Sequence, residues 1–197
     1  MLEGRTTALR ALELSDLHQL QDWRNNAEMR RNFREYRELN MYDQDQWFTN
    51  ICCGNKKYCM FGIVSKHEIH IDNNKIGGNK LIGVCGLTNI DWLIRSAELS
   101  FYIGAYDIYA DNILAKDSVE IMINHAFNSL NLNKVWAELY DFDFKKIQIL
   151  ELLKMKRDGE LRANAFDNGC YHNSYIYSLL RSEWPSAGSD RKSQPQR

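Results

Sequence analysis

No apolar run in this 197-residue chain approaches the roughly 20 residues that cross a bilayer. The opening residues, Met1-Leu2-Glu3-Gly4-Arg5, lack an apolar core, so no secretory signal and no membrane association are expected. Charge of one sign is missing too. Lys and Arg number 25, Asp and Glu 26, and the net charge of −1 leaves no broad electrostatic case for nucleic acid. The five cysteines, Cys52, Cys53, Cys59, Cys85 and Cys170, are odd in number and lack metal-type spacing. Adjacent Cys52 and Cys53 have no second pair to complete a site. His67 and His70 would point to opposite faces of a strand, so no metal is expected. This cysteine usage fits a reducing cytoplasm. Internal repeats are also absent.

What remains reads as one globular domain with a sizeable core: 44 % hydrophobic and 26 % charged residues. Thr6–Glu13 predicts a first strand, and Ser15-Asp16 offers a cap for a helix through Trp23. A second helix is predicted from near Asp43 to Ile51, a strand over Lys57–Val64, and a hairpin extension or long loop over His67–Gly78. The stretch from Lys80 to Tyr140 is the most informative. Two apolar strands, 81–87 and 97–103, lead through a polar loop to a helix over Leu114–Leu130 and a third strand, 134–140. A further helix, Phe144–Leu153, precedes an antiparallel pair, Glu160–Phe166 and Cys170–Leu179, joined at Asp167-Asn168-Gly169. These alternations predict an α/β (α+β) domain over 1–184, with a mixed, mostly antiparallel sheet flanked by helices. Residues 185–197 have no apolar periodicity and are expected to form a disordered tail.

A strand that ends in a loop feeding a helix N-terminus makes an anion site, because free N–H groups and the positive dipole end converge there. Glu98 lies one residue inside that strand. A carboxylate among apolar neighbours can have a raised pKa, which suits a general base. The bland alternative is an exposed Glu98 paired with a cation such as Arg95.

The order and spacing of these pieces resemble the GNAT superfamily of acyl-CoA-dependent N-acetyltransferases. The likeness is strongest to the branch acting on ribosomal-protein N-termini, polyamines and amino sugars. It runs from Leu9 through Trp184 and rests on Asp22-Trp23-Arg24-Asn25, Gly83–Leu87, Ala97–Gly104, Ala126-Phe127 and Asp158–Arg162. The resemblance implies acetyl-CoA as acyl donor and a small-molecule amine or a protein N-terminus as acceptor. It implies Glu98 as base or water-positioning group, and it leaves a homodimer possible. It implies that the backbone of Ser100, Phe101, Tyr102 and Ile103 holds the pantetheine arm. The pyrophosphate would lie on the loop Tyr109, Ala110, Asp111, Asn112, Ile113 and Leu114, with Ala115 following, and Asp143 and Lys146 would stand beside the cofactor.

Two departures stand out. The family's phosphate loop has two glycines, which let the backbone approach the phosphates; here Asn112 and Leu114 replace them, and Asp111 adds a negative charge. Lys116 offers a compensating charge. The family's proton-donating Tyr falls on Leu150, which leaves Tyr140, Tyr102 or water as the acid. These departures keep open a GNAT-like fold that serves as a binding or scaffold module. On the acceptor side the resemblance places Trp23, Arg24, Asn25, Arg31, Arg34 and Tyr36 along one wall of the cleft. Arginines beside aromatics suit an acceptor bearing an anion; a solvated basic face is the alternative. His172 follows the final turn and is expected to approach the cleft.

Overall fold

A computed structural model describes residues 1–35, 37–71, 74–76 and 78–185. Tyr36, residues 72, 73 and 77, and the tail beyond Pro185 lie outside the described residues.

In chain order the elements are β1 (Leu2–Glu3), β2 (Thr7–Arg10), α1 (Leu17–Asn25), α2 (Ala27–Arg30), α3 (Met41–Trp47), β3 (Cys59–Ser65), β4 (Ile69–Ile71) and β5 (Asn74–Ile76). They continue as β6 (Leu81–Asp91), β7 (Ser96–Ile103), α4 (Leu114–Asn128), β8 (Lys134–Tyr140), α5 (Phe144–Leu152), β9 (Lys156–Asp167) and β10 (Cys170–Leu180). Eight strands form one sheet in the order β1-β2-β3-β6-β7-β8-β10-β9, while β4 and β5 pair apart from it. Every neighbouring pair in the large sheet is antiparallel except β7 and β8.

The sequence expectation of a mixed, mostly antiparallel sheet is met, and its boundaries shift for identifiable reasons. The first strand is shorter than Thr6–Glu13, because the Glu13 N–H turns to the Asp16 carboxylate (2.8 Å). The predicted helix to Leu130 stops at Asn128. Ser129 and Leu130 both donate to the His125 carbonyl, and Asn131 adopts φ 56° in the left-handed region. The second helix widens into a π-type turn over Phe48–Cys52. Strand β9 begins at Lys156, earlier than expected, since its polar, exposed start hides the strand signal. Charged residues there suit the edge of a sheet. The Asp167-Asn168-Gly169 turn forms as read, with φ 48° at Asn168 and 82° at Gly169.

Helices cover both faces. Cys85 Sγ reaches the Ser118 carbonyl of α4 (3.6 Å), while its neighbour Val84 lines the cavity under α1 and α3. Strand alternation puts those two side chains on opposite sides. The core beneath α4 includes Leu114, Val119, Met122, Ile123, Ala126 and Phe127, all essentially inaccessible.

One carboxylate fastens α4 to the start of the sheet. Asp117 accepts from the N–H groups of Arg5, Thr6 and Thr7 (3.0, 2.9 and 2.8 Å) and from the Thr6 and Thr7 hydroxyls (3.1 and 2.8 Å). Burial alone would push its pKa up, but these hydrogen bonds outweigh burial and hold it below the usual carboxylate range. A depressed folded-state pKa stabilises the protein above the unfolded value and loses that contribution as pH falls through the folded one. Asp117→Asn is therefore expected to cost about 2–3 kcal/mol at pH 7. The wild type's extra stability should fade below about pH 4 and the two unfolding curves converge there; urea titrations of both proteins from pH 7 to pH 3 measure it.

Candidate active site

Strands β7 and β8 run parallel for only three residue pairs, Ser96 with Lys134, Ala97 with Val135 and Glu98 with Trp136. Beyond Glu98 they part and leave a wedge in the middle of the sheet. Gly104 N–H bonds back to Ile82 of β6. Alternation along an antiparallel strand therefore points the Phe101 N–H and C=O the other way, into the wedge. Of the four residues expected to offer backbone there, Ser100 and Tyr102 face β6. Ile103 is closed by a reciprocal pair with Tyr109 (2.7 and 2.9 Å). Phe101 remains.

Glu98 stands where the strands fork. Its Oε2 accepts from Asn89 Nδ2 (2.8 Å) and Thr88 Oγ1 (3.3 Å), and Oε1 lies 3.7 Å from Arg34. The apolar surroundings and the Arg95 pairing anticipated from sequence are replaced by these three polar neighbours. Facing it from β8 is Glu138, which accepts from Asn164 Nδ2 (2.7 Å) and Ser174 Oγ (2.8 Å) and pairs with Arg34 (2.9 Å). Arg34 thus bridges the two carboxylates across the mouth of the wedge. Glu98, Glu138, Arg34, Ser100 and Tyr140 share the lining of a cavity of about 250 Å³.

Two side chains fill the gap between the strands. Phe33 packs on Tyr102 and Tyr109 with ring centroids 5.1 and 6.2 Å apart. The Lys146 ammonium lies 5.0 Å from the Phe101 ring centre, 4.8 Å from Tyr109 and 5.9 Å from Phe33. Phe101 pairs with Cys85 and Tyr102 with Val84, so these rings come from both faces of the sheet and Lys146 lies between the faces. Its burial pulls its pKa below the ordinary lysine value, against the nearby Asp143.

The loop into α4 is strained and self-satisfied. Tyr106, Asp107 and Tyr109 occupy the left-handed region (φ 54°, 55° and 63°), a place that favours glycine. Tyr109 donates to Asp143 Oδ2 (2.6 Å); burial first, then that carboxylate, pushes its pKa well up. Asp111 supplies an internal anion: its carboxylate accepts from Leu114 N–H (3.0 Å) and Ala115 N–H (2.8 Å). Ala110, Leu114 and Ala115 are buried, whereas Asn112 and Ile113 are exposed. Asp143 caps α5 through the Lys146 N–H (3.3 Å). Lys116 pairs with Glu120 (2.5 Å).

Several residues expected on the acceptor wall do other work. Trp23 is a core residue, 9 % exposed, and packs so tightly on Gly104 that a Cβ there would lie 1.9 Å from the indole. Asn25 clamps both the N–H and the carbonyl of Leu39 (2.8 Å each). Arg31 pairs with Asp167 (2.7 Å), which ties the segment after α2 to the β9–β10 turn. His172 turns to Asp141 (3.0 Å) and to the Phe142 ring and does not line the cavities at Glu98. Arg24 and Arg34 do face those cavities. Leu150 is core, while Tyr140 lines the wedge. Sequence reading passed over Glu138 and Phe33. For Glu138 a signal existed: Val135, Ala137 and Leu139 alternate with Trp136, Glu138 and Tyr140, which share the less buried face of β8.

Residues 7–156 match the family model described as acetyltransferase (GNAT) domain. Among curated proteins, an uncharacterized N-acetyltransferase p20 of Bacillus licheniformis is 29 % identical over 106 residues, 54 % of this chain and 58 % of that protein. A putative ribosomal N-acetyltransferase, YdaF, of Bacillus subtilis is 30 % identical over 104 residues, 53 % of this chain and 56 % of that one. The match thus spans little more than half the length of these relatives. Among solved structures, the spermidine N-acetyltransferase of Vibrio cholerae in complex with CoA and spermine superposes with a TM-score of 0.74. It is 20 % identical and covers 90 % of this chain and 97 % of that one. A dodecameric form of the same enzyme gives 0.71 at 20 % identity, covering 95 % and 99 %.

The shared arginine has a measurable signature. A double-mutant cycle of Arg34→Gln and Glu138→Gln is expected to give a coupling of about 0.5–1 kcal/mol, small because the arginine is half exposed. Urea unfolding of the four proteins measures it.

Proposed function

Because the chain belongs to the GNAT acetyltransferase family, we propose that it transfers an acetyl group from acetyl-CoA to the primary amine of a small molecule or a protein N-terminus. The observation that carries this reading is the three-pair contact of β7 and β8, with Glu98 at the fork and the free edge of Phe101 just beyond. When bound, acetyl-CoA supplies an acetyl group already activated as a thioester. The Phe101 N–H and C=O offer a pantetheine chain strand-like hydrogen bonds in the wedge once Phe33 and Lys146, which fill it here, move aside. The phosphate end meets a competitor, the Asp111 carboxylate on the first N–H groups of α4. That carboxylate must swing aside before those N–H groups can serve a pyrophosphate.

Glu98 takes the proton that the acceptor amine must lose, directly or through a water. Asn89 and Thr88 hold one of its oxygens and leave the other toward Arg34 and the cavity. Arg34 keeps two neighbouring carboxylates from facing each other bare. Tyr140, on the wedge wall, is the group placed to protonate the departing thiolate. Tyr102 shares the Glu98 face of β7 but is enclosed beneath α1, where burial pushes its pKa up to about 12. Self-association as a homodimer and a cytoplasmic setting belong to the same reading. The exposed apolar turn Trp92-Leu93-Ile94 supports the first and five free cysteines the second.

Glu98→Gln is expected to lower kcat at least about 100-fold while calorimetric acetyl-CoA binding stays within a few-fold of wild type. Absence of saturable acetyl-CoA binding by the wild type would leave the binding-module reading instead. Asp111→Ala is expected to tighten acetyl-CoA binding several-fold and to cost about 1 kcal/mol of stability through the lost cap. Titration calorimetry and thermal unfolding of one sample measure both effects.

A further inference from the structure

A second cavity, of about 510 Å³, opens beneath α1 and α3 on the side of β7 away from α4. Its size falls in the range of small-molecule sites. It shares Ser100, Thr88, Arg34, Arg24, Phe33 and Lys146 with the wedge, so what sits in it reaches the fork where Glu98 stands. The rest of its wall is largely apolar and includes Trp47, Tyr58 and Met60.

Its charge is one-sided. Arg24, Arg34 and Lys146 line it, and among the described residues no Asp or Glu does. Arg34 is committed to Glu138. The other two cations are not committed. Arg24 stacks on Phe33 at 4.7 Å, its Nε is buried without a hydrogen-bond partner, and no carboxylate among the described residues lies within ion-pair distance. Lys146 is 8 % exposed; its ammonium lies over ring faces and, among the described residues, bonds to no carboxylate, with Asp143 near but not paired to it. Buried cations without a directly paired carboxylate are costly, and a ligand that brings the anion relieves that cost.

Resting on the acetyl-transfer reading above, we propose that the acceptor is an amino acid with a free carboxylate and a large apolar side chain. Arg24 and Lys146 hold the carboxylate, the side chain enters the space between Trp47, Tyr58 and Met60, and the amine points to Glu98. Glu98 accepts one ammonium proton; the freed amine forms the N–C bond to the acetyl carbon as the C–S bond breaks, Tyr140 gives its proton to the departing thiolate, and the second proton lost from nitrogen restores Tyr140. A polyamine is the wrong ligand for this cavity, because each of its ammonium groups would meet another cation.

The test uses the full chain. Thiol release from acetyl-CoA is measured with phenylalanine, tryptophan and leucine, with the corresponding amides, and with spermidine. In parallel, calorimetry follows phenylalanine and phenylalaninamide binding without any donor. The expected result is kcat/KM at least tenfold higher for each amino acid than for its amide, no turnover of spermidine, and donor-free binding that requires the carboxylate. Arg24→Gln and the near-isosteric Lys146→Met should each bring the amino-acid-to-amide ratio towards one. Turnover of amides or spermidine as fast as amino acids overturns the acceptor assignment and leaves acetyl transfer standing. Carboxylate-dependent binding with no turnover of any amine overturns acetyl transfer, and the acceptor role with it, and leaves an amino-acid binding site. A phenylalanine-terminated dipeptide preferred over phenylalanine moves the carboxylate out of reach of Arg24 and also overturns the assignment.

Discussion

Strands β7 and β8 share register for Ser96, Ala97 and Glu98 and then separate, and almost everything else about the site depends on that separation. A parallel pair needs a crossover, and α4 provides it, so the two strands arrive side by side from opposite ends of a long connection. Had they stayed paired, the Phe101 backbone would be spent on the ladder, and Glu138 would lie opposite Ser100 in an unbroken sheet. Because they part, a gap opens in the middle of a sheet, where unpaired backbone is expensive. The chain fills that gap with an aromatic ring from the segment after α2 and the long stem of Lys146.

Two aspartates govern the helix that makes the crossover. Asp117 draws the first residues of the chain onto α4, and Asp111 closes its first turn from the front. Both do so through N–H groups that would otherwise be unsatisfied. The difference is burial: Asp117 is enclosed and collects five donors, whereas Asp111 has only two and borders an exposed loop. The first is a fixed part of the fold, and the second is the kind of contact that a ligand can displace.

Strand periodicity made the sheet legible. The apolar run 81–87, the alternation in 97–103 and 134–140 that also places Glu98, and the turn residues Asp167-Asn168-Gly169 are all local signals. The misses have a common physical cause. Trp23 and Asn25 sit on a helix next to Arg24, and adjacent helical positions point about 100° apart, so one of three neighbours reached the cavity while the others met the core and Leu39. Phe33, Glu138 and Asn89 converge on the site from three separate segments, and only tertiary structure brings them together. The β9 start was hidden because an edge strand has no need of apolar residues. The glycine-free loop was noticed in the sequence, but the reason for Asp111 was not: a negative charge that looks hostile to a phosphate is a favourable partner for a helix N-terminus.

That tethered carboxylate has a consequence for how the protein would sense its surroundings. A group held on a short flexible link competes at an effective concentration in the millimolar range, without regard to how dilute the protein is. Any anion seeking the α4 N-terminus faces a rival that never diffuses away, and its apparent affinity is its intrinsic one scaled by the fraction of time the seat is vacant. A seat taken nine-tenths of the time weakens apparent binding about tenfold. The loop thereby sets a threshold: occupancy would track the supply of the incoming anion when that supply is high, and the helix would stay closed on itself when it is low.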